Sequence, residues 1–179
     1  MLRVFLFSLL RLVLAVLTLA LLVRKDYWAG LAALLVTQLA TYFSRKVAER
    51  SARKNAADVL RSITDNAVSF IIIVSFGYAH IVHWVLVLPL LFTTYLVGYM
   101  GLRIGIATNT KAPPATKLEK ISLPVGQDLC LLVAALFPSA TFAGQGLANG
   151  IFFCLLLIFA GLVLYTARYA YTHLLVAKS

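Results

Sequence analysis

Acidic residues are the scarcest charged type in this sequence: six Asp and Glu stand against sixteen Lys and Arg, for a formal net charge of +10. Charge of either sign is rare too, at 12% of residues, where a soluble domain would carry about 25%. With 62% of the chain hydrophobic, an ordinary water-soluble domain is excluded and an integral membrane protein is expected. Cysteine is limited to Cys130 and Cys154. Each falls inside an apolar run and reads as a small packing residue, which argues against a disulfide framework or a metal pair. The sequence holds no P-loop, no C-x-x-C pair and no Ser-His-Asp order, so the common nucleotide, redox and triad chemistries have no signature here. His80 and His83 are spaced i, i+3, but the outer loops offer no third ligand, and His173 belongs to the opposite side. They read as interfacial histidines.

The basic excess sits in short loops without the aromatic or polar readers that a nucleic-acid face needs. It therefore points to a lipid bilayer and anionic phospholipid as partners, with no nucleic acid.

Six apolar segments are present, at 4–23, 27–43, 59–78, 81–106, 121–137 and 149–170. A spanning helix takes about 20 residues, and the continuity of the runs excludes spanning strands. The expected fold is an all-α integral membrane protein, a single domain over 1–179 with six transmembrane helices. Arg3 and the long first run superficially resemble a signal peptide, but Arg11 interrupts the run and no small-residue cleavage site follows, so it reads as the first spanning helix. An even count puts both ends on one side. Thirteen basic residues lie on that side, whereas the opposite loops hold Arg24 and Lys25 alone. The positive-inside rule then gives N-in, C-in, with the charged loops cytoplasmic, as in a bacterial inner membrane or its equivalent. Tyr27, Trp28, Tyr78, Trp84, Tyr165, Tyr169 and Tyr171 gather near the helix ends, as headgroup-level rings do.

The chemistry concentrates in 41–65, TYFSRKVAERSARKNAADVLRSITD, which carries Arg45, Lys46, Arg50, Arg53, Lys54 and Arg61 with Glu49, Asp58 and Asp65. Asp58, Arg61 and Asp65 are spaced i, i+3, i+7 and share one helical face. That face is expected to point into the bundle, because an ionisable group at membrane depth is costly against lipid. Two outcomes are open for it: an Arg61–Asp65 ion pair that closes the bundle, or a functional site. Arg11, in mid-segment, must snorkel, pair with an acid or hold a phosphate. Asp65 and Asp128 are its candidate partners. These residues are expected to converge on one polar cavity.

In this layout the chain resembles the CDP-alcohol phosphatidyltransferase family, six-helix membrane enzymes that transfer a phosphatidyl group from a CDP-linked lipid to an alcohol. The resemblance rests on LLRLVLAVLTLALL as first helix, a Trp-containing second helix, the charge-dense stretch at the place of the signature D-x2-D-G-x2-A-R-x8-G-x3-D-x3-D, and Arg103 late in the fourth segment. Thr41 and Ser44 fall at the first two Asp positions, Arg45 at the Gly and Glu49 at the Arg, with Ala48 retained. With the intervening loop one residue shorter, Ala57 falls at the second Gly, Arg61 at the third Asp, and Asp65 retains the fourth. The register without that gap places Asp58, Ser62 and Asn66 there instead.

In the family the Asp residues hold divalent metal on the diphosphate, and the last helps to deprotonate the acceptor. The resemblance therefore implies a non-catalytic relative: a pseudoenzyme that serves as accessory or scaffold subunit, as a homodimer or within a larger membrane complex, with no cofactor. Arg11, Arg45, Arg50, Arg61 and Arg103 are its candidate phosphate or lipid-headgroup residues. The alternative is a divergent phosphatidyltransferase with catalytic Asp65, with Glu49, Asp58 and Asp65 holding Mg or Mn. A small transporter is the third reading, disfavoured by the lack of an inverted repeat or Gly-Pro-broken helices.

Overall fold

Two chain reversals set the architecture, and both use the same device. The computed structural model describes residues 2–49, 54–108 and 143–171, which are helical apart from these two reversals, with no strand among them. The helices are α1 (Leu2–Val23), α2 (Tyr27–Glu49), α3 (Lys54–Tyr78), α4 (Trp84–Thr108) and α5 (Ala143–Ala170). After α1, Lys25 adopts φ 64°. The Asp26 amide then donates to Leu21 O at 3.0 Å and the Lys25 amide to Leu22 O at 3.0 Å, the pair of bonds that ends a helix through a left-handed residue. Asp26 next caps α2, its Oδ1 accepting from the Ala29 amide at 3.2 Å. At the end of α3, His80 takes φ 57°, and the amides of His80 and Ile81 return to Gly77 O and Phe76 O.

Several boundaries differ from the sequence expectation. α2 runs on to Glu49 and α3 begins at Lys54, so most of the expected 44–58 loop is helical. Ala, Arg, Lys and Glu favour helix whatever their polarity, and a hydropathy boundary marks the membrane and not the end of the helix. α4 begins at Trp84 because 80–83 is the reversal itself. Ile81 and Val82 are apolar there since they are buried, at 0% and 2% exposure. α5 starts at Ala143, six residues before the expected 149. The fifth apolar segment, 121–137, lies outside the described residues, with Asp128 and Cys130.

α1, α2 and α3 pack on one another, α3 leads to α4, and α4 packs on α5. The distribution of side chains is that of a protein in lipid. α1 buries Val4, Ser8, Arg11, Ala15, Thr18 and Leu22, one stripe at alternating spacings of four and three. It exposes Leu6, Leu9, Leu10, Val13 and Leu17. α2 likewise buries Ala33, Thr37, Ala40, Ser44 and Ala48 while exposing Leu35, Val36, Leu39 and Phe43. On these two helices small and polar residues predominate on the buried side, beside Val4, Leu22 and Leu34, and small residues there let helix backbones approach closely in lipid. Leu2–Val23, Val59–Tyr78 and Gly144–Arg168 are each long and apolar enough to cross a membrane, compatible with an integral membrane protein.

Three contacts fix the pairing of α1 with α2. Val4 shares a small apolar cluster with Ala48 and Ala57. Arg11 Nε donates to Thr41 Oγ1 at 3.0 Å. Leu22 lies against Gly30, where an added Cβ would stand 2.7 Å from Leu22 Cδ2. In all three pairs the residue numbers add to the same total, so the helices run antiparallel in one register. Ser8 therefore stands opposite Ser44, one level from Arg11 and Thr41.

Candidate functional site

Arg11 is the centre of the polar region. Its side chain is fully buried, at 0% exposure, in the middle third of an apolar helix where nothing but a partner makes a guanidinium tolerable. The partner is Asp65, 54 positions away on α3, which accepts from Arg11 Nη2 in an ion pair. Of the two acids expected as candidates, Asp65 is engaged, and Asp128 lies outside the described residues. Arg11 joins three helices: its Nη2 holds α3, and its Nε holds Thr41 on α2. Thr41 passes the bond on, donating to Thr37 O at 2.9 Å. Asp65 keeps 26% of its side chain exposed, so the pair is buried on the arginine side and accessible on the carboxylate side.

Of the Asp58–Arg61–Asp65 face, Asp65 reaches across to Arg11 on α1. Arg61 is half-buried on α3, one turn from Asp65. Glu49 and Arg45 lie on α2, Asp58 on α3 and Arg103 on α4, with their side chains outside the described residues. Arg50 lies wholly outside them. The structure thus brings together Arg11 and Asp65 from the predicted set, and adds Thr41 from the aligned signature as a hydrogen-bond partner.

Around this centre Arg11 Nη1, Ser8 Oγ and Ser44 Oγ are buried without a hydrogen-bond partner. Ser8 was not singled out in the sequence, although its spacing from Arg11 (i, i+3) in an otherwise apolar run is the signal that would have found it. Among the described residues, His80 and His83 belong to no group of three or more potential metal ligands. They act through their backbones: the His83 amide donates to Asn149 Oδ1 at 3.0 Å, and His80 O accepts from Gln145 Nε2 at 3.2 Å, tying the α3–α4 turn to α5. Cys154 is exposed on α5.

No family model, no curated protein and no solved structure matches this chain.

Proposed function

We propose that this chain is a non-catalytic, six-helix membrane relative of the CDP-alcohol phosphatidyltransferases that binds anionic phospholipid and serves as an accessory or scaffold subunit of a membrane assembly. Its termini and charged loops face the cytoplasm in this reading. The observation that supports it most is the Arg11 guanidinium lodged between Asp65 and Thr41.

In the aligned signature these are the fourth and first carboxylate positions. A hard divalent ion needs several carboxylate oxygens. Here one of those positions is a hydroxyl already bonded to an arginine, and the retained acid is neutralised by the same arginine. Ser44 is a second hydroxyl, and Arg61 adds a further positive charge. Such a donor set repels Mg²⁺ and suits a phosphate, which guanidinium groups bind through charge-assisted hydrogen bonds. Arg61 and Arg103, with Arg45 and Arg50 on the charged stretch, are the residues assigned to the headgroup. A scaffold role also agrees with Arg11 holding three helices at once, since that ties the bundle together at the place where an enzyme would keep an open cavity.

The test is direct. Purified protein supplied with CDP-diacylglycerol, Mg²⁺ or Mn²⁺, and glycerol phosphate, inositol phosphate or serine is expected to show no transfer, while anionic lipid copurifies and is lost on Arg61→Ala with Arg103→Ala. Metal-dependent turnover that disappears in Asp65→Asn would establish the divergent transferase instead.

A further inference from the structure

Hydroxyl groups inside helices usually satisfy themselves by donating to the carbonyl four residues back, and most in this molecule do. Thr18, Thr37, Thr41, Thr64, Ser75, Thr94 and Thr166 all make that bond, at 2.6–2.9 Å. Ser8 and Ser44 do not. Both are buried, at 3% and 0% exposure, and the Oγ of each has no partner. The α1–α2 register places them opposite each other, one level from Arg11, whose Nη1 is likewise buried without a partner. Three such groups at neighbouring levels of one helix–helix seam are not a random residue of imperfect packing, because each carries a desolvation cost in an apolar surrounding.

The chemistry of the three identifies what they would take. Arg11 Nη1 is a donor with no acceptor capacity, and each serine hydroxyl brings one hydrogen. Nη1 carries two hydrogens and each hydroxyl one, and an oxyanion, with several lone pairs and no hydrogen of its own to place, can accept from all three groups. Asp65 meets Arg11 through Oδ1 and Nη2, and no bond joins it to Arg11 Nη1 or to either serine hydroxyl. Asp65, paired with Arg11, is a quarter exposed, which makes its edge the accessible side of the ion pair.

We propose that Ser8, Ser44 and Arg11 Nη1 form a metal-free oxyanion site that takes a phosphate oxygen, from either a lipid headgroup or free phosphate. The site deepens the lipid-binding reading above and rests on it. It differs in using the inner α1–α2 seam and not the arginines of the charged stretch.

The experiment uses Ser8→Ala and Ser44→Ala, which each remove one oxygen and leave the Arg11–Asp65 pair and the helix packing in place. Protein in nanodiscs of phosphatidylcholine is titrated with phosphatidic acid in one arm and with inorganic phosphate in the other. Each substitution is expected to weaken binding about tenfold, one charge-assisted hydrogen bond's share, with the melting temperature unchanged. An effect in the phosphatidic acid arm alone assigns the site to a lipid, and an effect in both arms assigns it to phosphate in general. Unchanged binding in both variants, with a melting temperature that rises as two unsatisfied hydroxyls are removed, would overturn the site. If binding then still falls on Arg61→Ala with Arg103→Ala, the lipid-binding reading survives without it. If no anion binds the unmodified protein at all, both fail together.

Discussion

The two ends of the α1–α2–α3 unit are built on opposite principles. At the reversal end, Leu22 is packed onto Gly30, Phe76 lies 5.4 Å from Phe152, and Tyr78 meets Trp84 edge-on at 5.1 Å. Apart from the hydrogen bonds of the α3–α4 turn to Asn149 and Gln145, these contacts are of shape. At the charged end the same helices meet through Arg11, Asp65 and Thr41, with Ser8 and Ser44 facing each other beside them. In lipid the first kind of contact gains by close packing, while the second persists because separating the charges is so costly. The reversal end holds the helices together, and the charged end holds the residues with chemistry.

The largest effect is expected from separating the ion pair. Arg11→Leu leaves Asp65 without its cation, and Asp65→Leu strands a fully buried guanidinium. The second change should be the worse, costing about 3–5 kcal/mol in equilibrium unfolding from detergent. The double replacement with Leu at both positions should recover most of that loss, since well-packed apolar residues often replace a buried pair without penalty. Additive losses would mean that the two residues act separately. At the reversal end Gly30→Ala should cost about 1–3 kcal/mol, because the new Cβ meets Leu22 at 2.7 Å and Leu22 is itself buried at 1% exposure. Gly77→Ala should cost less, about 1 kcal/mol, since its Cβ would approach the Trp84 ring at 3.0 Å and Trp84 is only partly buried. The reverse order would mean that the aromatic cluster sets the helix spacing.

Much of the helical plan could be read from hydropathy, since an apolar run in a membrane protein is almost necessarily a helix. The helix ends could not. Lys25 and His80 at positive φ look like unremarkable residues in a sequence, where a glycine would have announced the turn. Ile81 and Val82 read as helix because burial and helicity share one signal. For the site, Arg11 and Asp65 were legible because charge in an apolar run demands a partner, and two acids were available. That Asp65 would be chosen, and Thr41 recruited beside it, depends on the α1–α2–α3 register, which no single helix encodes. Ser8 escaped notice because one serine in a transmembrane run carries no cost until its hydroxyl is seen turned from its own backbone.

The proposed reading puts arginine in the place of a metal at the charged end. Electron paramagnetic resonance of Mn²⁺ titrated into the purified protein tests it most directly. The unmodified protein should leave the six-line spectrum of free Mn²⁺ undiminished, whereas Thr41→Asp, Ser44→Asp and Arg61→Asp combined should reduce it by supplying the carboxylates a divalent ion requires. Stoichiometric Mn²⁺ binding by the unmodified protein, abolished by Asp65→Asn, would contradict the account.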